Sequence, residues 1–174
     1  MWFYFINLIM LIKYMKIMHF VFVDETGINR EYRRLYARAK RGVKVYDTMS
    51  GKKYKRTNII AGLCGGKHLA VRDYEHSTTS AFFEDWFEWE LIPLLPENSL
   101  VILDNASFHR KRQLYDIAAR YGVCVLFLPP YSPELNPIEH SWANFKRWLC
   151  DNFTRFPSMF FAADCFFNRV GLLF

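Results

Sequence analysis

Cysteine is sparse, and it never occurs as a close pair. Cys64, Cys124, Cys150 and Cys165 stand alone among 174 residues. That excludes a zinc site built on CxxC spacing and a disulfide-stapled extracellular scaffold. The four read as reduced core thiols of a cytoplasmic protein. A GxxxxGK(S/T) loop after a strand is also missing, so Gly65-Gly66 is not a phosphate-binding loop and ATP binding has no support. The apolar run MWFYFINLIMLI at 1–12 is shorter than the ~18–20 residues that a membrane span needs. No basic segment precedes it and no small-residue cleavage site follows, which excludes a secretory signal. It is either a helix packed on the domain or an upstream extension. We expect 19–174 to form one domain, with residues 1–18 as an apolar N-terminal extension whose place in or outside the fold the sequence leaves open, and no membrane role. Internal repeats and low-complexity linkers are missing too.

Acid is scarce in one segment. Residues 30–56 hold 11 Lys/Arg against 2 Asp/Glu, a local net of +9, while the remainder of the chain sums to −3. The overall +6 therefore comes from one patch. It includes Arg33, Arg34, Lys40, Arg41, Lys52, Lys53, Lys55 and Arg56, interleaved with Tyr32 and Tyr36. Such a patch points to a polyanionic partner; the bland alternative is a solvated loop.

What is present is a series of apolar runs. HFVFVD (19–24) reads as a strand buried on both faces, broken by Asp24-Glu25-Thr26-Gly27. Val43–Tyr46 alternates like an edge strand. Residues 57–63 and 68–73 read as a hairpin turning at Gly65-Gly66. Residues 79–95 read as an amphipathic helix capped by Ser80, with Phe83, Trp86, Phe87, Leu91 and Leu94 inward and its acids solvated. LVILD (100–104) is another buried strand, and 111–121 a helix with Leu114, Ile117, Ala118 and Tyr121 inward. VCVLFL (123–128) is the last strand. Residues 136–151 form a helix with Ile138, Trp142, Phe145 and Leu149 as its buried stripe. The tail suggests a final helix with Phe160, Phe161, Cys165 and Phe167 inward. Closely spaced early strands imply an antiparallel meander; later strands separated by helices run parallel.

Two of these strands end in Asp, at Asp24 and Asp104, and the helix after Asn136-Pro137 carries Glu139 in its first turn. Neighbouring carboxylates repel, and a divalent cation relieves the repulsion. Oxygen ligands with open positions suit Mg²⁺ and phosphoryl transfer. Each acid has a plainer reading. Asp24 and Asp104 fit turns after strands. Glu139 fits a capping-box-like start with Asn136 as N-cap. His109 and His140 lie near the acids in sequence, either as surface or packing residues or as groups that touch phosphate. Glu25 points away from Asp24 if the strand continues past it.

The strings FVDETG (22–27), LVILDNASFH (100–109), LPPYSPELNPIEHSW (128–142) and NFKRWL (144–149) resemble the catalytic domain of insertion-sequence transposases of the mariner-like superfamily. The resemblance covers about residues 19–168. It places an Asp-Asp-Glu triad on Asp24, Asp104 and Glu139, and the last two lie 35 positions apart. It implies an RNase H-like α/β fold, with a five-stranded mixed sheet and flanking helices. It implies metal-dependent cleavage of DNA phosphodiester bonds at mobile-element ends, followed by strand transfer to target DNA. It also implies two Mg²⁺ or Mn²⁺ ions on the triad, and a dimer when active. Asn105 and Asn136 join His109 and His140 as candidate residues behind the triad. The basic patch, with Lys146 and Arg147, is the candidate DNA-binding surface.

The resemblance departs at the N-terminus. Such transposases usually carry helix-turn-helix units before the catalytic domain, whereas fewer than two dozen residues, mostly apolar, precede the first acid-tipped strand here. A separately encoded helix-turn-helix portion would then recognise the element ends. The rival reading is a catalytically idle remnant that binds DNA non-specifically; salt-sensitive binding without cleavage would mark it.

Overall fold

Apolar strands that alternate sides must cover two faces, and here helices cover both. A computed structural model describes residues 19–29, 39–44, 56–130, 132–152 and 155–169. β1 (His19–Asn29), β2 (Arg56–Cys64) and β3 (Lys67–Tyr74) form an antiparallel meander. β4 (Ser99–Leu103) pairs parallel to β1, and β5 (Cys124–Phe127) parallel to β4. The sheet order is β3-β2-β1-β4-β5. Four helices flank the sheet among the described residues: α1 (Ser80–Trp86), α2 (Lys111–Arg120), α3 (Ile138–Asn152) and α4 (Met159–Arg169).

β1 does not stop at Asp24. It runs on to Asn29, because β2 keeps pairing with it as far as Arg56↔Asn29. Long-range pairing overrides the local turn signal of Asp24-Glu25-Thr26-Gly27. Of the expected strand at 43–46, Val43 and Lys44 lie in irregular chain after a turn, and Val45 and Tyr46 lie outside the described residues. The hairpin does turn at Gly65 and Gly66, whose φ values of 54° and 83° are ones that side-chain-bearing residues avoid.

α1 is capped by Thr79, whose hydroxyl accepts from the Phe82 amide, and not by Ser80. It continues through a π turn at Phe87–Leu91 and a 3-10 turn at Ile92–Leu94 that contains Pro93. The π turn rotates the stripe, so Leu91 is buried while Leu94 is exposed. Glu84 is also buried, against the expectation of a solvated acidic face. At the end of α2, Tyr121 is exposed, not inward. There the chain leaves the helix through Gly122, and the Val123 amide reaches back to the Ala118 carbonyl.

α1 and α2 cover one face. Phe83, Trp86, Phe87, Leu114 and Ile117 pack there on Val21, Val23, Ile60, Val101 and Leu103. α3 and α4 cover the other, with Ile138, Trp142, Phe145, Leu149, Met159 and Ala162 against Ile28, Ile59 and Ala61. The α3 stripe is the one expected. The α4 stripe is so only in part: Phe167 packs inward as expected and Cys165 is half-buried, but Phe160 and Phe161 face solvent, and Met159, Ala162, Ala163 and Phe166 turn inward. Those inward positions recur at helical spacing, which 160 and 161 do not share. Hence Phe145→Ala should cost about 3–5 kcal/mol in urea unfolding, while Phe161→Ala should stay within about 0.5 kcal/mol of the parent. Equal losses would show that the α4 face is misassigned.

Candidate active site

The parallel pairing of β1 with β4 sets Phe22 opposite Ile102. Asp24 and Asp104 each follow two residues later, so they arrive at the same edge of the sheet. This is the carboxyl end of the parallel strands, where open sheets keep their crevices. Glu139 reaches the same place from the first turn of α3. All three acids line one open cleft of about 490 Å³, whose walls also include Asn105, Ala106, Leu128, Pro129, Pro130, Ser132, Pro133 and Asn136.

Each acid is held differently. Asp104 Oδ1 accepts from the Ala106 amide and from His109 Nε2, both at 3.1 Å. Burial pushes its carboxyl up, but the hydrogen bonds from His109 and Ala106 and the His109 charge outweigh that, leaving it below the ordinary value. An ionised carboxylate only accepts, so His109 Nε2 carries a proton. The His109 side chain is 2% exposed. Its ring packs edge-on against Phe83 at 4.2 Å, and its buried Nδ1 has no protein partner. α1 braces this loop: Ser80 Oγ donates to the Phe108 carbonyl at 2.7 Å, and buried Glu84 takes a two-pronged ion pair from Arg110.

Asp24 Oδ2 accepts from the indole N–H of Trp142 at 3.0 Å. Burial and the neighbouring Glu139 and Asp104 carboxylates push Asp24 up to about 7, against the amide of Glu25 and the Trp142 N–H, which lower it. Glu25 sits opposite Ile60 while Asp24 sits opposite Ala61, so the two point to opposite faces. Burial, then Asp24 and Asp104, push Glu25 up to about 8, and its Oε1 is buried without a partner.

Glu139 does not form a capping box with Asn136. Asn136 Oδ1 has no partner, and its amide donates to the Pro133 carbonyl at 2.9 Å, so neither reciprocal bond is made. Asn136 is buried, with its Nδ2 directed at the Val23 carbonyl at 3.5 Å. Glu139 itself is exposed to the cleft.

The residues expected behind the triad divide. Asn105 and Asn136 line the cleft and His109 holds Asp104, whereas His140 is exposed and is not among the lining residues. Lys40, Arg41, Arg56 and Arg147 are exposed and Lys146 half-buried; none of these lines the cleft. Arg33, Arg34, Lys52, Lys53 and Lys55 lie outside the described residues. The sequence reading missed Trp142 as a partner of Asp24, and Glu84 and Arg110 as a brace. The signal for Trp142 was available, since a tryptophan in a buried stripe needs an acceptor for its N–H.

The donor set is all carboxylate oxygen, which suits a hard divalent cation such as Mg²⁺ or Mn²⁺. The upward pressure on Asp24 from its acidic neighbours is the imbalance that such a charge offsets. Among the described residues, no three His, Cys, Asp or Glu side chains close into a ready metal cage. An open donor set leaves coordination positions for water and phosphate, as Mg²⁺ requires. The residues present therefore fit such an ion. No described helix is long and apolar enough to cross a membrane.

Residues 19–159 match the sequence profile of a family described as DDE superfamily endonuclease. No curated protein sequence matches the chain. Among solved structures, a Mos1 transposase paired-end complex with left transposon end superposes with a TM-score of 0.64 at 17% identity, covering 84% of this chain and 46% of that one. A Mos1 mariner paired end complex with Mn gives 0.67 at 19% identity, covering 86% and 48%. A simian T-cell lymphotropic virus intasome in complex with PP2A regulatory subunit B56 gamma gives 0.59 at 14% identity, covering 90% and 49%. At these identities the likeness is one of fold. The chain spans about half the length of the solved chains it matches.

Because the folded values of Asp24 and Glu25 lie near 7 and 8, above their ordinary 3.8 and 4.5, the folded protein binds more protons than the unfolded chain between about pH 4 and 8. Stability should therefore fall as pH rises through that window in metal-free protein. Thermal unfolding in the presence of a chelator should show the midpoint declining, and Asp24→Asn should flatten the decline. A midpoint that rises or stays level across the window would contradict the crowded-carboxylate picture.

Proposed function

Because the chain belongs to the DDE superfamily endonucleases, we propose that its cleft cuts DNA phosphodiester bonds at the ends of a mobile element and joins the freed 3′-OH to target DNA. One observation carries this reading: three acids from three separate elements meet in one open cleft at the carboxyl edge of the parallel strands. The fold relatives support it, since they include a transposon-end complex, a strand transfer complex and an intasome.

Asp24, Asp104 and Glu139 would hold divalent cations, Mg²⁺ or Mn²⁺ and two in number; Mos1 complexes with both metals are among the fold relatives. When bound, such ions activate the attacking oxygen and stabilise the leaving one. The chain's own residues do the rest. Asp104, kept ionised by His109 and Ala106, supplies a fixed negative oxygen. Glu139 faces the cleft without a capping duty, so it is placed to orient water in cleavage and the 3′-OH in strand transfer. In hydrolysis the water oxygen bonds to phosphorus, the P–O3′ bond breaks, and the 3′ oxygen leaves as a hydroxyl. Pro129, Pro130 and Pro133, which also line the cleft, restrict the backbone there. Lys40, Arg41, Arg56, Lys146 and Arg147 provide positive charge outside the cleft for the DNA backbone. Active protein would be a dimer in the cytoplasm, with a helix-turn-helix portion recognising the element ends.

Asp104→Ala should retain the far-UV circular dichroism of the parent and reduce Mg²⁺-dependent nicking of element-end DNA to background. Nicking by this variant at the parent rate would refute the assignment. Glu139→Gln should unfold within about 0.5 kcal/mol of the parent yet also fall to background in nicking. A large stability loss in that variant would restore a structural role for Glu139.

A further inference from the structure

Trp142 has the surroundings of a core residue. It is 1% exposed, meets Phe167 edge-on at 5.7 Å and lies tilted against His68 at 6.2 Å. A buried indole still needs an acceptor for its N–H, and most side-chain hydrogen bonds go to backbone or water. Trp86, on the other face, donates to the Ala70 carbonyl at 2.8 Å. Trp142 instead donates to Oδ2 of Asp24 at 3.0 Å. Its place in the chain adds to this. Trp142 follows Glu139 by three positions, so one helical face carries both the third acid and the donor to the first.

The chain is also pinned beside that donor and just before the helix begins. Ser141 Oγ and His68 Nε2 lie 2.6 Å apart, which ties α3 to the start of β3, and Asn136 turns toward the Val23 carbonyl beside Asp24. The indole therefore has little freedom to follow Asp24 if the carboxylate rotates. Asp104 has a matching arrangement, with Oδ1 held by a buried ring N–H from His109. Each aspartate thus has one oxygen committed to a buried aromatic N–H, from α3 for Asp24 and from the loop after β4 for Asp104.

We propose that Trp142 is a positioning residue of the acidic centre. Its indole N–H fixes the orientation of the Asp24 carboxylate, so the helix that delivers Glu139 also aligns Asp24 for the cation. This rests on the metal-dependent endonuclease reading, but its readouts do not depend on cleavage. The competing account is that Trp142 only fills the core.

Trp142→Phe separates the two, because it keeps a packed ring and removes the N–H. The expected result is a folded protein whose Mn²⁺ affinity, measured by calorimetry, drops roughly 10- to 100-fold, with nicking reduced alongside. Trp148→Phe, on the same helix but packed against Phe156 and Phe166, should keep the parental affinity. A Trp142→Phe protein with parental Mn²⁺ affinity overturns the proposal. If that variant fails to fold, the indole resonances of ¹⁵N-labelled parent decide the matter. The Trp142 N–H signal should move on Mg²⁺ addition and in Asp24→Asn. A signal indifferent to both overturns the proposal. If the parent binds Mn²⁺ but cuts no DNA, the endonuclease reading fails, while the affinity and the resonance still test the clamp.

Discussion

Everything at the site depends on the parallel pairing of β1 with β4. That pairing is short, four residue pairs from His19↔Ser99 to Phe22↔Ile102, yet it sets the register in which two aspartates reach the same sheet edge. A slip of one residue would send one of them to the opposite face. The register is protected by burial on both sides, since Val21 and Val101 face the α1 and α2 layer while Phe22 and Ile102 face the other way. Hydrophobic burial thus fixes the spacing of charges that would otherwise repel.

The two helical layers then divide the work. On one face, α1 braces the loop after β4 through Ser80, Phe83 and Glu84, and that loop presents His109 to Asp104. On the other, α3 presents Trp142 to Asp24 and Glu139 to the cleft. The acids differ in electrostatic state for the same reason. Asp104 is surrounded by donors and stays below its ordinary value, whereas Asp24 is raised by burial first and then by the carboxylates around it.

Much of this was legible in the sequence, because buried strands and helical stripes have strong periodicity. The acids at 24, 104 and 139 stood out since each ends or begins an apolar element. What was not legible depended on three-dimensional partners. β1 continues through Asp24-Glu25-Thr26-Gly27 because β2 lies alongside, which no local signal records. Glu84 looked like one more surface acid until Arg110, 26 positions away, came to meet it. Phe160 and Phe161 looked like core residues by type alone, but the helix turned them outward. Asn136 and Glu139 matched the spacing of a capping box, yet Pro133 had already taken the backbone amide that the box needs.

An open five-stranded sheet leaves two edges able to recruit foreign strands, and this one blunts both. β5 is only four residues long, too short to template an extended partner. β3 is longer, but its ladder to β2 is interrupted between Ile60 and Gly62. Beside that irregularity Ala70 adopts a φ of 50°, and its carbonyl is already spent on the Trp86 indole. The kink that accommodates Trp86 in the core therefore also guards the molecule against edge-to-edge aggregation at high concentration.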